Sequence, residues 1–299
     1  MTRVVSIGEC MVEMAPSGTP GTFAMSFAGD TFNMAWYLAR LAPGWQVEFL
    51  TAIGTDSLSD AFRTFAADAG IGTQHMARHP DRGLGLYLTQ LDDGERSFHY
   101  WRETSAARTL ANDEEALTAS LQGADIVFFS GITLAILTEE AREVLFDAIS
   151  EAQAGGAVVA FDPNIRDALW ADPEDMRAAI MEAALSSEIV MPSFEDEARH
   201  FGDANPAATV ARYLSAGATS VVVKNGAGDV HYSCGGEAGV ATPTSVNAVV
   251  DTTAAGDSFN AAFLAKLIAG TPPADAVAAA CAVAGNVIQS PGALVEDIG

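Results

Sequence analysis

Residues 125–162 read DIVFFSGITLAILTEEAREVLFDAISEAQAGGAVVAFD: an apolar run at 125–131, a helical stretch at 138–156 and a second apolar run at 157–162. Short runs that stay apolar at nearly every position suit strands covered on both faces, as parallel strands joined through helices are. The segment predicts one β-α-β unit of a parallel sheet. The same rhythm continues on both sides. VVSIG at 4–8, a helix over about 30–41, VEFLTAIG at 47–54 and a helix through DAFRTFAADAG at 60–70 precede it, and SEIVMPS at 187–193 and TSVVVKNG at 219–226 follow. No low-complexity linker or internal repeat divides the 299 residues, so a single α/β domain is expected.

One region breaks this rhythm. GLGLYLTQLDDGERSFHYWRET at 83–104 alternates apolar and polar residues on either side of Asp92-Asp93-Gly94, which predicts a hairpin with an Asp-Gly turn. With the strand-like FAMSFAG at 23–29 it makes a small second sheet, inserted as a lid with strands at about 23–28 and 84–102. A small sheet with an open apolar face needs a cover, so substrate is expected beneath it and a second copy of the chain above it.

Composition limits the partners. The chain carries 15 basic and 39 acidic residues, a formal net charge of −24, and this field repels nucleic acid and anionic membrane. Cys10, Cys234 and Cys281 are far apart, with no Cys-x-x-Cys spacing, so neither a disulfide framework nor a zinc site is indicated. No signal-peptide pattern and no membrane-length apolar run occurs, and a cytoplasmic protein is expected. The five histidines have no metal-ligand spacing, and no Ser/His/Asp order fits a hydrolase.

The chemistry concentrates near the C-terminus, in DTTAAGDSFNAAFLAKL at 251–267. Ala254, Ala255 and Gly256 present backbone N–H groups without bulky side chains at a helix N-terminus, where such groups lack partners and the helix dipole is positive. An aspartate at that rim, Asp257, can take a hydroxyl proton while the N–H groups hold charge developing on a transferring phosphoryl group. Read alone, Asp257 is better explained as a helix-capping residue.

The surrounding residues favour the first reading. DTTAAGDSFNAAFLA resembles the C-terminal signature of the ribokinase-like (PfkB) carbohydrate kinases, D-T-T-G-A-G-D-x-F, with Ala254 in place of a glycine. IGECMVEM at 7–14, AGDTFNMAWYLARL at 28–41, TAIGTDSLSD at 51–60, FSGITLAIL at 129–137, FDPNIRDALW at 161–170 and VVVKNGAGD at 221–229 extend the likeness over the whole chain. They are similar to the branch of the family that moves the ATP γ-phosphate to the 6-hydroxyl of 2-keto-3-deoxygluconate. The resemblance implies a three-layer α/β/α fold with a mostly parallel sheet and a β lid, a sugar acid and ATP as ligands, and magnesium arriving with ATP.

It also implies roles for individual residues: Asp257 as base, with Ala254, Ala255 and Gly256 as the anion hole. Gly29, Asp30, Asn33, Tyr87, Tyr100, Arg102 and Arg166 are implied for substrate, and Lys224, Gly226 and Asn286 for nucleotide. Asp251 is implied for a potassium-type cation loop near the SPGA turn at 290–293. In PSFEDEA at 192–198, Ser193 replaces an asparagine of the family, and Glu195, Asp196 or Glu197 supports magnesium. Asp196 is the one of the three named for the magnesium network, and the choice among them stays open.

The planar fork of arginine suits a carboxylate, which favours a sugar acid over a neutral sugar. From the residues alone, Arg102 could equally lie over apolar surface, and Arg166 could equally pair with Asp162 or Asp167. The rival readings are a neutral-sugar kinase of the fructokinase or ribokinase type and a catalytically silent sugar-acid-binding regulator.

Overall fold

Successive residues of the apolar runs enter different cores. In β1 (Arg3–Ile7), Val4 packs into one buried cluster and Val5 and Ile7 into another. The same division holds in β8 (Ile126–Ser130), where Ile126 and Phe128 face one side and Val127 and Phe129 the other. Period-two geometry with helices on both faces requires this arrangement. The computed structural model describes residues 1–19, 21–92 and 95–298.

The remaining strands are β2 (Met11–Pro16), β3 (Phe23–Ala28), β4 (Gln46–Ile53), β5 (Met76–Arg78), β6 (Leu86–Asp92), β7 (Glu95–Trp101), β9 (Val158–Asp162), β10 (Ile189–Val190), β11 (Ser220–Val223), β12 (Val230–Cys234) and β13 (Glu237–Ala241). The large sheet has the order β13-β12-β11-β10-β9-β8-β1-β4-β5, parallel except where β12 meets β11 and β13. Helices 30–41, 57–68, 255–268 and 273–287 contribute to the core on one face, and helices 114–121, 139–154 and 173–185 to the other. The fold is the expected α/β/α sandwich with a mostly parallel sheet.

Helix 255–268 explains the apolar run after Asp257. All eight residues from Ser258 to Ala265 are buried, so the helix is enclosed all round rather than amphipathic. Burying Phe263 or Leu264 alone stabilises by about 1.5–3 kcal/mol, which holds the N-terminus of this helix in place.

The lid differs in detail from the expectation. It has four strands in the order β3-β2-β6-β7, and β2 in its middle was not anticipated as a lid strand. The β2 strand pairs antiparallel with β3 and parallel with β6. The predicted hairpin is present, with Tyr87 opposite Tyr100 and Leu86 opposite Trp101. Its Asp-Gly turn at 93–94 lies outside the described residues. The antiparallel pair β12–β13 was also unplaced in the sequence reading. Its turn is Gly235-Gly236, both in the left-handed region at φ 58° and 89°, as a tight hairpin demands.

Candidate active site

The C-terminal ends of β1, β9 and β11 converge on the N-termini of helices 30–41 and 255–268, where ligand sites of open α/β sheets form. Lys224 follows β11 and is buried rather than solvated. Its Nζ donates to Asp162 Oδ2 at 2.7 Å and to Asn260 Oδ1 at 3.1 Å, and Asn260 Nδ2 donates to Asp162 Oδ2 at 2.6 Å. A buried ammonium is tolerable only with such partners.

Asn33 and Asp257 join the two helix N-termini. Asn33 Oδ1 accepts from Gly29 N–H at 3.2 Å, and its Nδ2 donates to Asp257 Oδ2 at 2.8 Å, so it serves both the local backbone and the site. Asp30 Oδ2 accepts from Asn164 Nδ2 at 2.8 Å, and Asn164 N–H donates to Asp162 Oδ1 at 3.1 Å. Asn164 achieves this in the left-handed region, at φ 32°. Gly29 has a reason within the protein itself: a Cβ there would lie 2.1 Å from the Glu9 carbonyl oxygen.

Asp257 keeps a partly exposed side chain, yet the protein crowds its carboxyl. That desolvation, followed by the charge of Asp30, pushes its pKa up to about 7; Asp162 adds to the rise, while the Asn33 hydrogen bond and Lys224 oppose it. A carboxyl tuned this way suits proton abstraction near neutral pH.

The helix entrance differs from the expected three-donor hole. Ala254 is the N-cap, in the left-handed region at φ 59°, and no described side chain caps the helix. The Ala255 N–H is used by Thr252 O at 3.2 Å, and the first intrahelical bond runs from Ser258 N–H to Ala254 O. The Gly256 and Asp257 N–H groups are therefore the orphan donors of the first turn. A Cβ on Gly256 would meet only Lys224 Nζ, at an ordinary 3.5 Å. Nothing in the protein requires glycine there, so the space it leaves, between the ammonium and the helix end, fits an anionic group.

The arginines are placed differently from one another. Arg102 does not stand free: it is buried at the end of β7 in an ion pair with the buried Glu9, which follows β1, and its guanidinium carbon lies 5.8 Å from the centroid of the Tyr100 ring. Arg166 is exposed and donates to Ile165 O at 2.9 Å. Both acids offered as its partners are engaged elsewhere, Asp162 with Lys224 and Asn260, and Asp167 with Arg199 and His200.

Tyr87 is buried, and burial together with Glu13 holds its hydroxyl above the ordinary phenol range. Its ring lies 5.8 Å from that of Tyr100, which is half exposed. Glu197 is taken into a buried network with Arg212 and Tyr213, and Glu195 is exposed. Asp196 is the one whose electrostatic neighbours are Arg166, Asp162, His200 and Lys224, and burial raises its pKa. Asp251 accepts from Thr253 N–H and Gly292 N–H at 3.0 and 2.7 Å, tying the 251–253 loop to the 290–293 turn. Gly226 turns the chain after Lys224 at φ 56°, and Asn286 Nδ2 donates to Ile298 O at 3.1 Å.

The sequence reading missed Glu9, Asn164 and Asn260, and it took Asp162 only as a partner for Arg166. Signals were present: an amide inside the apolar run FNAAF, and polar residues directly after strand-like runs.

The sequence matches the profile of the pfkB family carbohydrate kinases over residues 1–297. This chain belongs to that family. It is 35% identical over 301 residues to "2-dehydro-3-deoxygluconokinase" of Escherichia coli strain K12, covering 98% of this chain and 97% of that protein. Likeness to the Haemophilus influenzae protein of the same name is 35% over 306 residues, covering 100% and 97%. A fructokinase from Xylella fastidiosa with bound ATP superposes with a TM-score of 0.84 at 26% identity, covering 97% of this chain and 93% of the other.

Proposed function

We propose that this pfkB kinase transfers the γ-phosphoryl group of ATP to the 6-hydroxyl of 2-keto-3-deoxygluconate. The observation that carries the reading is full-length likeness to two proteins named for that activity, combined with an orphan-donor helix end that carries Asp257 in its first turn. In the proposed step Asp257 takes the proton of the 6-hydroxyl as its oxygen bonds to the γ-phosphorus, and the bond from that phosphorus to the bridging oxygen breaks to release ADP. The Gly256 and Asp257 N–H groups and Lys224 carry the charge on the transferring group, the main protein contribution in phosphoryl transfer.

The ATP-bound relative supports ATP as donor. Among the described residues no group of three His, Cys, Asp or Glu side chains is arranged to hold a metal. Magnesium would therefore come with ATP, bound mainly through phosphates and water, with Asp196 as a supporting acid. We assign Gly226 and Asn286 to the nucleotide side, Gly29, Asp30, Asn33, Tyr87, Tyr100, Arg102 and Arg166 to the sugar acid, and Asp251 to a potassium-type cation loop. Residues 1–299 would act as one catalytic domain with its lid. The lid's exposed Phe23, Met25, Phe98, Tyr100 and Trp101 support a homodimer through that sheet.

A neutral-sugar kinase is the second reading, favoured by the fructokinase likeness and by the ion pair that engages Arg102. ADP release measured over a panel of keto-deoxy acids, fructose and ribose decides between them. Turnover concentrated on the acids supports the first reading, and fructose or ribose as the best substrate overturns it.

A further inference from the structure

Arg102 sits where the chain leaves the lid, Gly85 where it enters, and Glu9 reaches the same point from the end of β1. Backbone bonds hold this hinge: Val12 N–H to Gly85 O and Ala106 N–H to Gly83 O, both 2.8 Å, and Ser105 N–H to Arg102 O at 3.0 Å. The Arg102–Glu9 pair lies within it, with almost no solvent contact on either side chain.

Removing an ion pair from water costs several kcal/mol per ion, so a pair in this position needs a return that packing alone does not provide. Only one hydrogen bond joins the two groups, from Arg102 Nη2 to Glu9 Oε2. Arg102 Nε and Glu9 Oε1 are buried without a partner among the described residues. The guanidinium is thus fixed in place without using all its donors. The hinge is also shaped around the pair. A Cβ on Gly85 would meet Glu9 Oε1 at 2.9 Å, Met11 Cγ at 3.0 Å and Arg102 Cβ at 3.3 Å, while the Gly85 backbone is not in the left-handed region. Room for Glu9, Met11 and Arg102 is therefore the reason for glycine at this position.

We infer that Glu9 is a positioning residue that sets substrate specificity: it anchors Arg102 in the hinge so that the remaining guanidinium donors meet the carboxylate of the sugar acid. The inference rests on the sugar-acid reading above. Glu9 touches the arginine and not the reacting atoms, so its effect travels through Arg102. A long arginine left unanchored at the base of the lid ribbon would have to be ordered on every encounter with substrate, and fixing it in advance removes that cost.

The test is a cycle on the full-length enzyme with 2-keto-3-deoxygluconate and ATP, in which thermal unfolding confirms that each variant is folded. Glu9→Gln removes the charge and keeps the size. Gly85→Ala keeps both charges and displaces the flexible end of Glu9, so it carries the test even if Glu9→Gln does not fold. Each change is expected to raise KM for the acid about tenfold, with kcat and KM for ATP within about threefold of wild type. Neither should raise it further in an Arg102→Ala background, because the residues act as one unit. An unchanged acid KM in the folded single variants, or an effect that persists at full size without Arg102, overturns the inference alone. If Arg102→Ala itself leaves the acid KM unchanged, the sugar-acid role of the arginine fails, and this inference fails with it.

Discussion

The pocket at the start of helix 255–268 and the lid above it handle charge in opposite ways. In the pocket, Asp162, Lys224, Asn260, Asn33 and Asp257 come from two strand ends and two helices, and each has a partner set by elements whose cores are fully packed. The lid is a four-stranded sheet with several large apolar side chains in solvent, joined to the core through a short hinge and a buried ion pair. The first arrangement suits chemistry that tolerates little displacement. The second suits a cover that must open and that distinguishes one sugar from another. Changes in the pocket should therefore lower kcat, and changes in the lid should raise KM.

The largest effect is expected at the base. Asp257→Asn keeps the shape and the Asn33 contact but cannot take the proton, so kcat should fall about 100-fold or more with little change in acid affinity. Near-normal turnover would remove Asp257 from the mechanism and leave the pocket as a binding site.

Gly256→Val comes next. The structure has room for its Cβ against Lys224, so the protein should fold, yet the side chain would fill the space assigned to phosphate and lower kcat about tenfold or more. Wild-type ATP kinetics in a folded variant would reduce this turn to an ordinary helix start.

The pH profile sharpens the same contrast. Asp257 must be ionised to accept a proton, so log kcat/KM should fall as pH drops below about 7 and level off above it. The Asn33 hydrogen bond lowers this pKa, so Asn33→Ala should move the midpoint to higher pH, while Tyr100→Phe in the lid should leave it in place. Linkage runs the other way for folding. A carboxyl raised from 3.8 to about 7 favours the folded state at acid pH, and that contribution is lost as pH rises through about 7. A midpoint indifferent to Asn33 would detach the profile from Asp257.

The smallest effect is at Ala254. An alanine at φ 59° carries strain that glycine avoids, partly offset by the freedom glycine adds to the unfolded chain, so Ala254→Gly should stabilise by about 1 kcal/mol or less. Destabilisation in a denaturant titration would show that the methyl packs usefully against the lid-side cluster that it touches.

The same contrast explains what the sequence made legible. Strands such as IVFFS and VVAFD, and the helix carrying Asp257, are read from local apolar patterns, because their cores impose those patterns residue by residue. Asp257 itself is conspicuous as an acid among Thr, Ala and Gly. The β2 strand escaped notice because MVEMAP carries no period-two alternation and stands beside the stronger β1 run. Gly235-Gly236 was a readable hairpin signal left unused. Glu9, Asn164 and Asn260 became visible only in three dimensions, since their meaning lies in partners 93, 134 and 98 positions away in the chain. The pairing of Arg102 was hidden for the same reason. Composition and spacing show that an arginine ends the lid, but not that a glutamate just beyond the first strand meets it there.

The most direct test of the account is the ratio of kcat/KM for 2-keto-3-deoxygluconate to kcat/KM for fructose, measured in wild type and in Arg102→Ala and Arg166→Ala. A hydrogen bond to a charged group contributes about 1.5–3 kcal/mol, so each alanine variant should lower the ratio about ten- to a hundred-fold, with the loss carried by KM for the acid. A wild-type ratio favouring the acid that collapses in both variants is the predicted result. A ratio that stays constant across all three enzymes would make both arginines structural, and the protein would then be a neutral-sugar kinase.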